Sequence, residues 1–183
     1  IMSYAQTLEW KGALSYRIDD TCVIDTSNQI YGTIINTQTL EHARPVSLAG
    51  CKRIMTIENK ANYESMQYDE NTLYIFCHGY FTPKEVIFLK KLSLIVPKEC
   101  EFLHWGDMDF GGISIFLFIK ERIFKKLMPY RMGVADFEDA LKKDAGIPLK
   151  ASTREKLEKK DAGLLTELKE AILESDKTIE QER

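Results

Sequence analysis

The stretch Phe102-Leu103-His104-Trp105-Gly106-Asp107-Met108-Asp109-Phe110-Gly111-Gly112 carries an apolar strand into two acids and a glycine pair. The lead-in from Cys100 to Trp105 has the length and composition of a buried strand, and an apolar helical run, Ile113 to Phe124, begins after the glycines. Such a strand-loop-helix unit suits a mostly parallel α/β sheet, where functional groups collect at the carboxyl ends of the strands. In extended chain, residues two apart face one side with Cα atoms roughly 6–7 Å apart, so Asp107 and Asp109 are placed to converge. Converging carboxylates repel, and without a cation one of them tends to retain its proton. All-oxygen ligation favours Mg²⁺ or Mn²⁺ over zinc. The same residues also admit a structural role, with Asp107 capping the following helix and Asp109 in a loop turn.

A second strand ends in an acid. Ile54-Met55-Thr56-Ile57 stops at Glu58-Asn59-Lys60, and a helix-like segment from Ala61 to Tyr68 follows. A third strand, Leu73 to Cys77, runs into His78-Gly79. The helix after it is signposted by Thr82 as cap, Pro83 in the first turn and Glu85 completing a capping box, with Val86, Phe88, Leu89, Leu92 and Ile95 on its apolar face. Met128 to Val134 supplies a fourth strand, which predicts a β-α-β-α-β-α-β order with right-handed crossovers. His78 lies at the functional edge, where it either touches substrate or caps a helix. His104, inside its strand, is expected to be buried and hydrogen-bonded.

Residues 51–134 thus form the α/β core. Residues 1–50 read as a β-rich preface: alternation at Leu14–Ile18, an apolar Thr21–Ile24, a turn at Asp25–Asn28, then Ile30–Ile35, a short helix Thr39–Ala43 and an extended Pro45–Leu48. Residues 135–183 read as a helical layer of the same domain. Phe137–Ala145 forms one helix, Gly146-Ile147-Pro148 breaks it, Ser152 caps a second, and Leu164–Leu173 continues.

The 183 residues, 44% apolar and 29% charged, suit one soluble domain, and no apolar run reaches the roughly 18 residues that span a membrane. No leader pattern stands at the start, so a cytoplasmic location is expected, and Ile1 before Met2 suggests a piece of a longer protein. Cys22, Cys51, Cys77 and Cys100 form no C-x-x-C and read as buried reduced thiols. The net charge of −3 does not look like a free-standing nucleic-acid binder, yet residues 71–134 carry 9 basic groups against 6 acidic. Lys120, Arg122, Lys125, Lys126 and Arg131 either attract a phosphate backbone or form the solvated face of a helix.

A strand-end glutamate followed by a strand-end D-x-D resembles the Toprim domain of topoisomerases, primases and related nucleases. Glu58-Asn59-Lys60-Ala61-Asn62-Tyr63, His78-Gly79-Tyr80-Phe81-Thr82-Pro83 and Gly106 to Gly112 are similar to motifs of the topoisomerase VI A-subunit branch. Tyr31-Gly32-Thr33, Ile57 to Tyr63, His104 to Asp109 and Glu180-Gln181-Glu182 resemble, in this order, phrases of the C-terminal region of the Wadjet JetD proteins. The resemblance implies a Rossmann-like Toprim fold of about four mostly parallel strands flanked by helices. It implies Glu58, Asp107 and Asp109 as both catalytic residues and ligands of Mg²⁺ or Mn²⁺, and Lys60, His78, Gly79, Gly111 and Gly112 as substrate-binding candidates. It further implies cleavage of double-stranded plasmid DNA by a homodimer that works with an SMC-like defence complex, and no membrane. Glu180 and Glu182 are suspected on resemblance alone of returning toward the acidic edge. The nucleophile is water or, as in topoisomerase VI, a tyrosine outside this chain. A primase or ligand-binding Toprim module and a non-catalytic assembly domain are the competing classes, whereas a receiver domain wants an acid pair after its first strand.

Overall fold

Alternation in Thr7-Leu8-Glu9-Trp10-Lys11 puts Leu8 and Trp10 on one face and Glu9 and Lys11 on the other, and this segment forms β1 (Thr7–Lys11). In the computed structural model, which describes residues 7–48 and 50–180, β1 pairs antiparallel with two strands of the central sheet. β2 (Ser15–Ile18) and β3 (Val23–Asp25) follow, then β4 (Thr33–Asn36), α1 (Thr37–His42) and β5 (Ala43–Ser47). The strands of this N-terminal stretch divide between two sheets: β3, β2 and β5 form a small antiparallel sheet, while β1 and β4 extend the central one.

β6 (Arg53–Ile57), α2 (Lys60–Ser65), β7 (Thr72–Phe76), α3 (Pro83–Ile95), β8 (Glu101–Trp105), α4 (Phe110–Arg122) and β9 (Met128–Pro129) build the core. The central sheet has the order β4-β1-β7-β6-β8-β9, and its four strands β7, β6, β8 and β9 are parallel. The architecture is therefore mixed α/β with a mostly parallel sheet flanked by helices, as the strand pattern predicts. The fourth strand is shorter than expected. Only Met128 and Pro129 pair with β8, because Gly133 already caps α5 (Val134–Lys142), donating its N–H to Asp136 Oδ2 at 3.0 Å. α4 likewise begins at Phe110 rather than Ile113, since Asp109 caps it.

Each face of the sheet is covered differently. α3 lays Phe88 on Trp10, rings stacked 6.3 Å apart, and α4 brings Phe116 to within 6.1 Å of His104. The opposite face carries Met55, Ile57, Phe76 and Trp105, and α2 covers part of it through the buried Tyr63. α3 carries the expected capping box of Thr82 and Glu85, with Pro83 in its first turn.

Beyond α5, β10 (Ile147–Pro148) replaces the predicted break, and α6 (Ala151–Glu158) starts after Lys150, so Ser152 lies within the helix and not at its cap. A 3-10 turn (Gly163–Leu165) leads to α7 (Thr166–Ser175) and β11 (Lys177–Thr178), which pairs with β10. The chain then returns to the centre, where Met108 and Ile179 exchange two backbone hydrogen bonds of 3.0 and 3.1 Å. All four cysteines are free thiols; Cys51, Cys77 and Cys100 are buried as expected, and Cys22 is exposed. Among the described residues, no helix is long and apolar enough to cross a membrane.

Candidate functional site

Ile57, Phe76 and Trp105 are cross-strand neighbours in the parallel register, so whatever follows each of them emerges on one edge. The pairing runs one step further, with Glu58 N–H donating to Trp105 O at 2.9 Å and Cys77 N–H to Ile57 O at 2.8 Å. Asn59 then caps α2, its side chain accepting from Asn62 N–H at 2.8 Å, and the backbone turns away immediately after Glu58. Glu58 is left at the rim beside the D-x-D loop, with its Oε2 3.4 Å from the Asp107 N–H.

The two aspartates divide their work. Asp109, not Asp107, is the helix cap, accepting from Gly112 N–H at 2.7 Å. Gly112 is required here because a Cβ would lie 2.0 Å from the Asp107 carbonyl oxygen, so the first turn of α4 rests directly on the backbone that presents Asp107. Gly111 is less constrained: a Cβ there meets Asp109 Oδ1 at 3.2 Å.

Burial pushes the Glu58 carboxyl up to about 7, and the neighbouring Asp107 charge adds to the rise against the opposing hydrogen bond from the Asp107 N–H. Asp109 is also raised, by burial first and by the charge of Glu180, although the Gly112 and Gly111 N–H groups oppose it. Glu180 thus sits close enough to act on the acidic edge, carried there by the pairing of Ile179 with Met108. Glu182 lies outside the described residues.

His104 is fully buried behind this edge. Thr56 Oγ1 lies 2.8 Å from His104 Nδ1 and 3.3 Å from Leu103 O. If the hydroxyl donates to that carbonyl, Nδ1 carries the ring proton and Nε2 presents a lone pair. Nε2 has no hydrogen-bond partner, and burial depresses the ring to about 3, so it stays neutral. A Cβ on Gly106 would stand 2.6 Å from His104 Nε2 and 2.7 Å from Glu58 Oε2, so both side chains press against the bare face of that glycine.

Three carboxyls at one rim, two of them with raised pKa, make a donor set suited to a hard divalent cation. Among the described residues, no three acid, histidine or cysteine side chains stand close enough to enclose one. The three-carboxylate metal site that the sequence predicts is therefore not assembled by these side chains as they stand, and Asp109 Oδ1 is engaged in capping α4.

Lys60 and His78 have partners within the chain. Lys60 Nζ pairs with Glu9 at 2.5 Å and lies over the Tyr63 and Phe76 rings. His78 Nε2 meets the fully buried Glu85 at 2.9 Å, extending the α3 cap, and Gly79 (φ +115°) makes the turn between them. The Glu85 hydrogen bond raises His78 above its ordinary 6.5. Burial acts to raise Glu85, but the bonds from His78 and Thr82 outweigh it and hold the carboxyl below 4.5. The raised histidine contributes stability below 6.5 that is lost as pH climbs through its folded value, and the depressed glutamate contributes stability above 4.5 that is lost as pH falls through its own. Melting wild type and His78→Gln between about pH 5 and pH 9 should therefore show the largest gap in Tm at the acid end, closing toward pH 9. A gap independent of pH would dismiss the charged pair.

One feature of this edge is weakly signalled by the sequence. Arg131 lies over the rings of Trp105 and Tyr130, 5.1 and 5.5 Å from their centroids, and in the sequence it is one cation among several.

A family model described as the C-terminal part of the Wadjet protein JetD matches residues 14–183. The Wadjet protein JetD of Bacillus cereus (strain Q1) is 35% identical over 135 residues, which are 70% of this chain and 32% of that protein. The match thus spans about a third of that relative's length. With nearly the whole chain inside the family model and its strand-end acids gathered at one rim, this chain belongs to the Wadjet protein JetD C-terminal family.

Proposed function

We propose that this chain is the Toprim-type catalytic part of a metal-dependent DNA endonuclease in a Wadjet anti-plasmid defence system, working as a homodimer alongside an SMC-like complex. The observation that carries the reading is the placement of Glu58 against Asp107, two acids 49 positions apart in sequence brought to 3.4 Å between Oε2 and backbone N. Burial and like charge make that edge costly for the free protein, and such groups cluster at functional sites. Glu58, Asp107 and Asp109 would hold Mg²⁺ or Mn²⁺, which when bound neutralises charge on a scissile phosphate and orients it.

The remaining work falls to the chain itself. The Asp107 N–H holds Glu58 toward the rim, and Gly112 fixes the Asp107 backbone. A glutamate titrating near neutrality is able to give or take a proton at its Oε atoms. The test is plasmid cleavage by the full-length protein with Mg²⁺ or Mn²⁺ and with chelator. Linear or nicked product is expected only with metal. Cleavage unaffected by chelator, or none with either metal in the presence of the defence partners, would overturn the reading. Product carrying a protein-linked DNA end would select the topoisomerase-like variant with a tyrosine outside this chain, and free ends would select water.

A further inference from the structure

Among the described residues, four non-glycine positions have left-handed backbone: Asp19, Asp144, Asp176 and Arg131 (φ 51°). Aspartate tolerates that region because its short side chain bonds locally; arginine gains nothing of the kind. Strain retained at such a residue points to a function for its side chain. The two flanking residues are pinned to β8 and the loop after it. Tyr130 N–H donates to His104 O at 2.8 Å, and Gly106 N–H to Met132 Sδ at 3.3 Å. Between these anchors the Arg131 guanidinium is spread over Trp105 and Tyr130, themselves edge-to-face at 5.7 Å.

Arg131 also borders a cleft of about 840 Å³ that reaches Met108 and Glu180 beside the acidic edge. Asp136, Asp139, Asp144 and Glu180 line the same cleft, yet among the described residues Arg131 makes no ion pair with any carboxylate. A guanidinium held over aromatic rings keeps its charge and N–H donors, and its planar fork matches two oxygens of one anion.

We propose that Arg131, clamped on Trp105 and Tyr130, is a DNA-backbone ligand of this site, receiving a phosphate that flanks the one to be cleaved. This rests on the nuclease reading above for the identity of the anion. It adds a cation beside the acids Glu58, Asp107, Asp109 and Glu180, which would repel a polyanion; Lys143 also lines the cleft, and Lys60 is already paired with Glu9.

The test uses full-length protein bearing Asp107→Ala, so that bound DNA is not cut, and a duplex of about 30 base pairs of arbitrary sequence titrated over a range of salt. Arg131→Ala should weaken duplex binding about tenfold at 0.1 M salt and lower the slope of log affinity against log salt by about 0.9. Arg131→Lys should recover the slope and only part of the affinity, because it keeps the charge and loses the fork. Arg131→Gly should melt above Arg131→Ala, since glycine accepts the left-handed backbone, while binding DNA as poorly. Affinity and slope unchanged in both Arg131→Ala and Arg131→Gly would overturn the proposal, as would absence of duplex binding by the parent. The two readings fail separately. Metal-dependent cleavage with an unaltered slope removes the Arg131 assignment alone, whereas the expected fall in slope without metal-dependent cleavage removes the nuclease reading and leaves Arg131 as a contact to the DNA backbone only.

Discussion

Asp107→Ala in the full-length protein is expected to lower metal-dependent plasmid cleavage by at least about 10³-fold while leaving the fold intact. The magnitude follows from losing a ligand of a charge-stabilising metal, worth about 4 kcal/mol at roughly 1.4 kcal/mol per factor of ten. Tolerance of the fold follows from the geometry. Alanine keeps the N–H that bonds Glu58 Oε2, so the neighbouring carboxyl stays in place. The negative charge that helps raise Glu58 disappears, which relieves repulsion in the free protein. The Tm is expected to stay within about 4 °C of wild type, the shift of one kcal/mol in a chain of this size. Unimpaired cleavage by a folded variant would remove the catalytic assignment of the D-x-D. Loss of cleavage together with unfolding would instead make Asp107 a structural residue, contrary to this account.

Gly112→Ala should damage fold and activity together. A methyl group 2.0 Å from the Asp107 carbonyl oxygen cannot be accommodated, and the atoms it would meet, O, C and N of Asp107, are backbone with no side-chain end to swing aside. The first turn of α4 must lift away, which also weakens the bond from Gly112 N–H to Asp109 Oδ1. Overpacking and partial loss of a cap together cost about 3 kcal/mol, or a Tm lower by about 6–12 °C. Cleavage should fall at least about 100-fold at a temperature where the variant is still folded, because an ångström of displacement at Asp107 spoils the approach of the reacting groups. Gly111→Ala is the matched control, with its nearest contact at 3.2 Å, and should change stability by no more than about 1 kcal/mol. Equal behaviour of the two alanine variants would show that the close approach at Gly112 does not govern the loop.

Much of the central architecture is legible in local pattern. β6, β7 and β8 are short apolar runs bounded by polar turns, and α3 announces itself through Thr82, Pro83 and Glu85. Because all three strands are parallel and in register, the adjacency of Glu58 and Asp107 follows from each coming just after its strand. The assignment of caps was less legible. Whether Asp107 or Asp109 caps α4 depends on a shift of the helix start by three residues, and propensity does not resolve element ends that finely. The length of β9 escaped for the same reason, since Gly133 and Asp136 start α5 inside a run that reads as strand.

By itself the sequence determined the class of fold, the positions of the acid-bearing strand ends and the cap of α3, because these depend on side-chain periodicity and on contacts within a few residues. Only the tertiary structure decided that β1 joins the central sheet beside β7, that Ile179 closes onto Met108 and brings Glu180 to the acidic edge, that Lys60 pairs with Glu9, and that Arg131 lies across Trp105. Each of these joins partners 26 or more positions apart. Backbone pairing is indifferent to side-chain identity, and a lysine or arginine chooses its partner by which surfaces burial leaves within reach, so local composition carries no record of the choice.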